Sequence, residues 1–368
     1  MSDERITAIT MPKWGLSMIE GTVMEWLAEE GDELKLGDEI MEIETEKIAN
    51  TFEALDAGLL RRKVARADEV LPIGALLGVL APSAVSDAEI DAYVAEFQEN
   101  YVPPEPDEED AGSGFDTVDA AGYRLRYSKM GDADETVILI HGFGGDAERW
   151  LFTQQPLAVK ASVYALDLPG HGASTKVIAD GSVAALAGVV IGFMDALAIT
   201  RARLIGHSLG GAIAIQAAID HSDRVESLAL IAPAGLGAEI NAAYINGFIT
   251  AESRKQMKPL LQQLVADPSL INRALINDML QFKRIDGVTQ ALSVIAAGFQ
   301  DGAVQTVNLR DGLAGLSMPV TVIWGSEDKI IPPSHAEGLP EKIEVEILNG
   351  FGHLVQLEAA SEVNHLLA

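Results

Sequence analysis

The pattern of apolar and polar positions changes once along the chain. From residue 6 to about residue 81, short β-rich runs are broken by Gly and Asp turns such as Gly31-Asp32. Short runs separated by turn residues predict a small all-β domain built of hairpins. Between residues 85 and 101, Ile90, Val94 and Phe97 recur at helical spacing and predict one short amphipathic helix.

After about residue 115 the chain alternates apolar β-branched runs with helical segments. The runs are Thr136–Ile140, Val163–Leu166, Ala202–Ile205, Leu228–Ile231 and Val320–Ile323. Strands of this kind are covered on both faces by crossover helices, so the pattern predicts a mostly parallel sheet in an α/β domain. From about 235 to 302 the strands stop and helical patterns replace them, which predicts a cap over the carboxyl edge of the sheet.

The segment from 103 to 114 combines Pro, acidic residues, Gly and Ser. This composition predicts an extended, mobile linker. We therefore predict an all-β domain over residues 1–82, a linker with one short helix over 83–114, and an α/β domain over 115–368. Two domains also agree with the length of 368 residues.

Composition excludes several functions. A formal net charge of -29 disfavours binding to nucleic acid or to anionic membranes. With no cysteine, the chain has no disulfide, no thiolate metal site and no cysteine nucleophile, so any thiol chemistry must come from a cofactor. We predict no metal site. The acidic N-terminus and an apolar run, Val183–Met194, too short to span a membrane lead us to expect a cytoplasmic protein.

One lysine lies in a setting that suggests modification. Lys47 falls between two candidate strands, 40–43 and 48–52, with acidic residues before it. The segments 11–21 (MPKWGLSMIEG) and 44–47 (ETEK) closely resemble the lipoyl domains of 2-oxo acid dehydrogenase complexes. The resemblance implies that Lys47 carries lipoic acid in amide linkage. Biotin is the alternative, but the lysine of biotin carriers is typically flanked by methionines, whereas Glu46 and Ile48 flank Lys47.

A serine lies in a setting that suggests nucleophilic attack. Ser208 is the centre of Gly206-His207-Ser208-Leu209-Gly210, which follows a candidate strand and precedes a candidate helix. Small residues allow the sharp strand-to-helix turn that exposes a nucleophilic oxygen above a sheet. Because serine is unreactive at its own pKa, it needs a base and an acid that orients the base.

Asp328 and His353 follow Ser208 in the order that the α/β-hydrolase fold uses. Glu327 is an alternative to Asp328, while His141, His171 and His207 are more readily explained as structural residues. Residues 141–145 and 167–172 also resemble that family, over about 115–368. The resemblance implies Ser208 as nucleophile, His353 as base and Asp328 as acid, and the backbone amides of Phe143 and Leu209 would form the oxyanion hole.

A lipoyl domain joined to an α/β-hydrolase domain resembles the acyltransferase component of acetoin dehydrogenase complexes. The resemblance implies transfer of an acetyl group from a lipoyl arm on Lys47 to coenzyme A. It also implies a thiamine-diphosphate dehydrogenase component and dihydrolipoamide dehydrogenase as partners, in an oligomeric assembly. Two alternatives remain: a hydrolase that the lipoyl domain tethers to a dehydrogenase complex, and a non-catalytic lipoyl scaffold.

Coenzyme A is anionic, so its binding to this acidic chain requires a local basic patch. The candidates lie in the predicted cap: Arg254, Lys255, Lys258, Lys283 and Arg284. An ordinary solvated helix face explains them equally well.

Overall fold

The structure is a computed structural model, and it describes residues 5–12, 20–35, 37–45, 49–102 and 114–368. The chain divides into two compact units, Met1–Gly114 and Phe115–Ala368. Lys47 and most of the predicted linker segment lie outside the described residues. The two units are described separately below.

The described part of the first unit is built of short strands. They are β1 (Thr7–Thr10), β2 (Glu20–Trp26), β3 (Glu33–Leu34), β4 (Glu39–Glu44), β5 (Ala49–Glu53), β6 (Gly58–Lys63), β7 (Glu69–Pro72) and β8 (Leu76–Leu80). They form two four-stranded sheets, in the orders β1-β8-β6-β3 and β5-β4-β2-β7. The core draws Leu60 and Leu77 from one sheet and Val23 and Met41 from the other, all fully buried. The predicted all-β domain is confirmed.

The hairpin formed by β4 and β5 brackets the candidate modification site. The two strands pair antiparallel, with Glu44 opposite Ala49. Four residues, 45–48, connect these two positions, and Lys47 is one of them.

A helix, α1 (Asp87–Asn100), follows β8. Ser86 caps its N-terminus in a capping box with Glu89, whose pKa falls to about 2 because the Ser86 side chain and backbone N–H donate hydrogen bonds to its carboxylate. Ile90 is fully buried in a cluster with Ile6 and Leu76. The helix that the sequence assigned to the linker therefore packs against the β-strands of the first unit.

The second unit contains an eight-stranded sheet. Its strands are β9 (Asp116–Ala120), β10 (Tyr123–Met130), β11 (Thr136–Ile140), β12 (Ser162–Leu166), β13 (Ala202–His207), β14 (Val225–Ile231), β17 (Val320–Gly325) and β18 (Ile343–Leu348). Their order is β18-β17-β14-β13-β11-β12-β10-β9. From β11 to β18 the neighbours are parallel, whereas β10 pairs antiparallel with β12 and with β9. The predicted α/β fold is confirmed.

The apolar runs arise because both faces of the sheet are covered. In β11, Val137 and Leu139 belong to one buried cluster, while Ile138 and Ile140 belong to another. Successive side chains of a strand point to opposite faces, so an uninterrupted apolar run supplies two cores at once.

The described helices of this unit fall into two groups. Around the sheet lie α2 (Leu151–Ala158), α3 (Val183–Ala196), α4 (Leu209–Asp220), α9 (Arg310–Gly315), α10 (Val355–Glu358) and α11 (Ala360–Leu367). Between β14 and β17 lie α5 (Ala242–Thr250), α6 (Arg254–Leu261), α7 (Arg273–Lys283) and α8 (Val288–Phe299), followed by the short antiparallel pair β15 (Gln300–Asp301) and β16 (Val304–Gln305). This second group is the predicted cap. No helix in the described ranges is both long and apolar enough to cross a membrane.

The strand order fixes where a site can form. β11 lies between β12 and β13 in the sheet. The chain leaves β11 toward β12 and leaves β13 toward β14, so these two connections run in opposite directions across the sheet. Open α/β sheets bind ligands outside the carboxyl ends of the strands at such a reversal. The segments that follow β11 and β13 begin at His141 and Ser208, respectively.

Candidate functional site

Ser208 lies at a sharp turn between β13 and α4. Its backbone has φ 53 and ψ -117, a conformation that non-glycine residues rarely adopt. Strain of this kind persists only where the surroundings enforce it, and it is typical of the nucleophile turn in α/β hydrolases. The turn presents the Ser208 side chain at the carboxyl edge of the sheet, where it is 8% exposed.

The glycines around Ser208 are required by space. A Cβ atom at Gly206 would lie 2.3 Å from the carbonyl oxygen of Gly210, and one at Gly210 would lie 2.1 Å from that of Ile140. These approaches are far closer than van der Waals contact allows. The two glycines of the Gly-x-Ser-x-Gly pattern are therefore needed because the start of α4 packs in direct backbone contact with β11 and β13.

His353 and Asp328 form a buried pair. His353 Nδ1 lies 2.7 Å from Asp328 Oδ2, and their side chains are 3% and 0% exposed. Asp328 Oδ1 accepts hydrogen bonds from the backbone N–H groups of Ile330 (2.7 Å) and Ile331 (3.0 Å), and Oδ2 also accepts one from Trp324 Nε1 at 2.9 Å. Four donors thus converge on one carboxylate and fix its position.

This arrangement fixes the tautomer of His353. Both Asp328 oxygens are acceptors in these contacts, so His353 Nδ1 is the donor in its bond to Oδ2 and Nε2 is left as an acceptor. Glu327, the alternative acid, is exposed, and its backbone N–H donates to the carbonyl of Phe351. Only Asp328 of these two reaches the imidazole.

Ser208 and His353 line the same cavity, together with the loop that follows β11. No hydrogen bond to the Ser208 hydroxyl occurs among the described residues. Contacts between nucleophile and base are often loose without substrate and tighten in the reacting complex. The arrangement is therefore compatible with proton transfer from Ser208 to His353 Nε2.

Two backbone amides lie close to the nucleophile: Phe143 lines the same cavity as Ser208, and Leu209 follows Ser208 in the chain. In the described ranges, neither the Phe143 nor the Leu209 N–H donates a hydrogen bond to another residue. Leu209 is the first residue of α4, where an N–H has no partner within the helix and the helix dipole favours negative charge. Two free donors beside a nucleophile suit a developing oxyanion.

Buried histidines hold the loop that carries Phe143. His171 Nε2 accepts the Gly144 N–H at 3.1 Å, and His141 Nε2 accepts the Leu168 N–H at 3.0 Å. Each donates through Nδ1 to a carbonyl, of Pro169 and of Gly142, respectively. Burial lowers the pKa of His171 to about 3 and that of His141 to about 4, so both are neutral and structural near neutral pH.

His207 holds the segment that carries the base. Its Nε2 donates to the carbonyl oxygen of His353 at 2.9 Å, and burial lowers its pKa well below the usual range. On the other side, the Glu358 carboxylate accepts the Gly352 N–H at 2.6 Å and the Ala266 N–H at 2.7 Å. These bonds fix the loop on both sides of the imidazole.

We expect the buried histidines to make stability depend on pH. Between about pH 6.5 and about pH 4, the unfolded chain protonates His171 while the folded chain does not, so the free energy of unfolding falls as pH falls. One such group contributes at most about 1.4 kcal/mol per pH unit. His171→Gln should therefore show a smaller loss of melting temperature between about pH 7 and about pH 5 than the wild type.

The matched control for this prediction is His365→Gln, because His365 is exposed. It should keep the pH dependence of the wild type. An unchanged slope in His171→Gln would mean that His171 is not held neutral in the folded chain.

The cap closes the cavity with apolar side chains. Tyr244 and Phe248 come from α5, Met279 from α7 and Phe299 from α8. The Phe143 ring packs against the rings of Phe248 and Phe299, at centroid distances of 6.1 Å and 5.8 Å. Such a lining suits an apolar group of a ligand and limits the access of water.

Sequence reasoning missed two polar groups of this region. The Trp324 indole bonds to Asp328, and Arg149 lines the cavity with Nη2 donating to Met279 Sδ at 3.1 Å. The predicted strand ends at Ile323, and the sequence assigned no role to Trp324, the residue that follows it. No signal in the sequence distinguishes Arg149 from a surface arginine. Among the described residues, no group of three His, Asp or Glu side chains could hold a metal ion.

Comparison with known proteins assigns both units. Residues 135–360 match the family described as alpha/beta hydrolase fold, and residues 7–80 match the biotin/lipoyl family, described as biotin-requiring enzyme. A meta-cleavage product hydrolase from Pseudomonas fluorescens IP01 has a solved structure that matches with a TM-score of 0.63 and 26% identity. That match covers 68% of this chain and 95% of that chain.

Two curated relatives match nearly the whole chain. One, from Cupriavidus necator, is 48% identical over 98% of this chain and 96% of its own length. The other, from Pseudomonas putida, is 45% identical over 98% of this chain and 97% of its own length. Each is named dihydrolipoyllysine-residue acetyltransferase component of acetoin cleaving system.

Proposed function

We propose that this chain, which belongs to the family of dihydrolipoyllysine-residue acetyltransferase components of acetoin cleaving systems, moves an acetyl group from a lipoyl thioester to coenzyme A through Ser208. One observation carries the proposal. A serine at a strained strand-to-helix turn shares a cavity with a histidine that pairs with a buried aspartate, in a chain whose first unit is a lipoyl-type domain.

In the first half-reaction Ser208 Oγ attacks the thioester carbonyl carbon. His353 Nε2 takes the hydroxyl proton, and Asp328 stabilises the imidazolium that forms. The Phe143 and Leu209 amides hold the negative oxygen of the tetrahedral intermediate. The carbon–sulfur bond then breaks, His353 returns the proton to the departing sulfur, and an acetyl ester remains on Ser208.

The second half-reaction reverses these roles. The coenzyme A thiol attacks the acetyl-serine carbonyl while His353 Nε2 takes the thiol proton. The same two amides hold the second oxyanion. When the carbon–oxygen bond breaks, His353 protonates Ser208 Oγ, which restores the starting state and releases a new thioester. Every proton therefore passes through one imidazole nitrogen.

Lys47 is the proposed attachment site of the lipoyl group. That group, when bound, supplies the thiol that carries the acetyl group between enzymes. The connection between β4 and β5 supports the assignment, because it contains Lys47 and is only four residues long. The match of residues 7–80 to the biotin/lipoyl family supports it as well.

We further propose the functional domains as 1–82 and 115–368, with 83–114 between them. The relatives are named as components of a cleaving system, which supports action within an assembly. We propose a thiamine-diphosphate dehydrogenase component and dihydrolipoamide dehydrogenase as the other members, in a cytoplasmic complex with several copies of this chain.

The test of this function is a product assay. We expect the full-length protein, given S-acetyl-dihydrolipoamide and coenzyme A, to form acetyl-coenzyme A with little acetate, because the apolar lining of the cavity disfavours attack by water. Release of acetate as the main product would instead support the tethered hydrolase. No product, together with no labelling of Ser208 by a serine-directed fluorophosphonate, would support the scaffold.

A further inference from the structure

One part of the cap differs in charge from the rest of the chain. Residues 252–284 contain six basic and three acidic side chains, whereas the whole chain contains 26 Lys and Arg against 55 Asp and Glu. A net charge of -29 repels anionic ligands at long range. A local excess of basic residues is therefore where an anion can bind to this protein.

A surface groove gathers part of this charge. Arg254, the first residue of α6, and Arg284, the residue after α7, line it together with Asn277 and Gln281 of α7. Arg254 Nε donates to Asn277 Oδ1 at 2.6 Å, which fixes the direction of the guanidinium. Two arginines and two side-chain amides in one concave site offer many donors in a defined arrangement.

The two arginines keep their charge available. Elsewhere Arg61, Arg126 and Arg224 form salt bridges with carboxylates. In the described ranges, neither Arg254 nor Arg284 has such a partner. Arginine combines a fixed charge with a planar fork that matches two phosphate oxygens, so unpaired arginines in a groove are suited to phosphate.

One acidic residue, Glu252, also lines the groove. Its charge acts on Lys283. Burial lowers the pKa of the Lys283 ammonium, and the negative charge of Glu252 partly raises it again. The Lys283 ammonium is further engaged by the carbonyl oxygen of Ala251. The two arginines outnumber Glu252 in the groove, which leaves a net positive charge among its lining side chains.

The groove adjoins the catalytic cavity through shared elements. Consecutive residues of α7 serve the two sites: Met279 lines the cavity and Leu280 lines the groove. Lys283 Nζ also lies 5.9 Å from the ring centroid of Phe248, a cavity residue. The two sites therefore lie on neighbouring parts of the cap, which is the arrangement that a ligand with an anionic end and a long neutral arm requires.

We propose that the Arg254–Arg284 groove binds the phosphate groups of coenzyme A while the thiol arm extends to Ser208. The inference rests on the proposed function, in which coenzyme A is the acetyl acceptor. Of the five basic residues singled out in the sequence, it assigns phosphate contacts to Arg254 and Arg284.

The direct test is binding of adenosine 3′,5′-bisphosphate, which carries two of the three phosphate groups of coenzyme A, to the full-length lipoylated protein by calorimetry. We expect the dissociation constant to rise about 10- to 100-fold for each arginine removed in Arg254→Gln and Arg284→Gln, the range for one charge-assisted contact. Arg273→Gln removes the same charge from α7 outside the groove and should change the constant little. Inorganic phosphate as a second probe tests whether the nucleotide adds affinity.

The kinetic test compares two acceptors. In the double variant, the ratio of kcat/KM for coenzyme A to that for pantetheine, which lacks phosphate, should fall at least 10-fold. No bisphosphate binding by the wild type, equal binding by the double variant, or an equal loss in Arg273→Gln would each overturn the groove assignment. A protein that binds the bisphosphate through the groove yet transfers acetyl to neither acceptor would instead refute the proposed function alone.

Discussion

Ser208→Ala should reduce acetyl transfer from S-acetyl-dihydrolipoamide to coenzyme A by roughly 10³–10⁶-fold, as is typical when a triad nucleophile is removed. The physical reason is that alanine leaves no atom to form the acetyl ester, while His353, Asp328 and the two amides remain in place. The measurement is the initial rate of acetyl-coenzyme A formation with the full-length protein. Because Ser208 is nearly buried and small, the variant should fold as the wild type does.

Lys47→Arg is the matched control, because it affects delivery of the acetyl group and leaves the second unit unchanged. It should abolish turnover of the assembled complex but retain transfer between free S-acetyl-dihydrolipoamide and coenzyme A. Ser208→Ala should do the opposite and still accept acetyl groups on its lipoyl arm. If Ser208→Ala transferred acetyl at nearly the wild-type rate, coenzyme A would be attacking the thioester directly, with His353 as its base.

The sheet was predictable wherever burial on both faces made the pattern continuous. Thr136–Ile140 was predicted with the bounds that the structure has, because its four apolar residues, 137–140, each pack into one of two cores. Asp116–Ala120, an edge strand, was missed, since its polar and mostly exposed residues leave no apolar period to read. The antiparallel pairing of β9 and β10 therefore had no signal in the sequence.

The cap shows where local patterns stop being informative. Its helical character was predicted, but not the ends of its helices. The helix that begins at Arg254 ends at Leu261, and the backbone N–H groups of Gln263 and Leu264 then bond in turns to the carbonyls of Leu260 and Leu261. Which cap residues face the cavity depends on how α5, α7 and α8 meet, and no local pattern encodes that. The same holds for α1: its helical spacing was visible, but its contacts with Ile6 and Leu76 were not.

Some features of the site were predictable from local sequence and others were not. The turn at Ser208 was predictable because its glycines are local in sequence and required by space. Asp328 was separated from Glu327 by family resemblance, and the structure supplies a physical reason, since only Asp328 lies among the donors of Trp324, Ile330 and Ile331. These contacts arise from the loop after β17 and could not be read from residue types.

Those contacts predict a large loss of activity in Asp328→Asn. An asparagine keeps the shape of the side chain, but one of the two carboxylate oxygens becomes an N–H₂ group. Only one oxygen is then left to accept from the four donors. If the oxygen stays with the Ile330 and Ile331 amides, the N–H₂ group faces Trp324 Nε1 and His353 Nδ1, both of them donors. His353 then escapes the clash by moving its proton to Nε2, the tautomer that cannot accept the Ser208 proton.

We expect kcat for acetyl transfer to fall by about 10⁴-fold in Asp328→Asn, the size known for this change in a serine protease triad, with little change in KM. Glu327→Gln makes the same change of charge at an exposed neighbour and should stay within about twofold of the wild type. Thermal melts of both variants establish that they are folded. Equal losses in the two variants would show that negative charge near the site matters and the pairing with His353 does not, whereas a loss confined to Asp328→Asn would assign the orientation of the base to that one carboxylate.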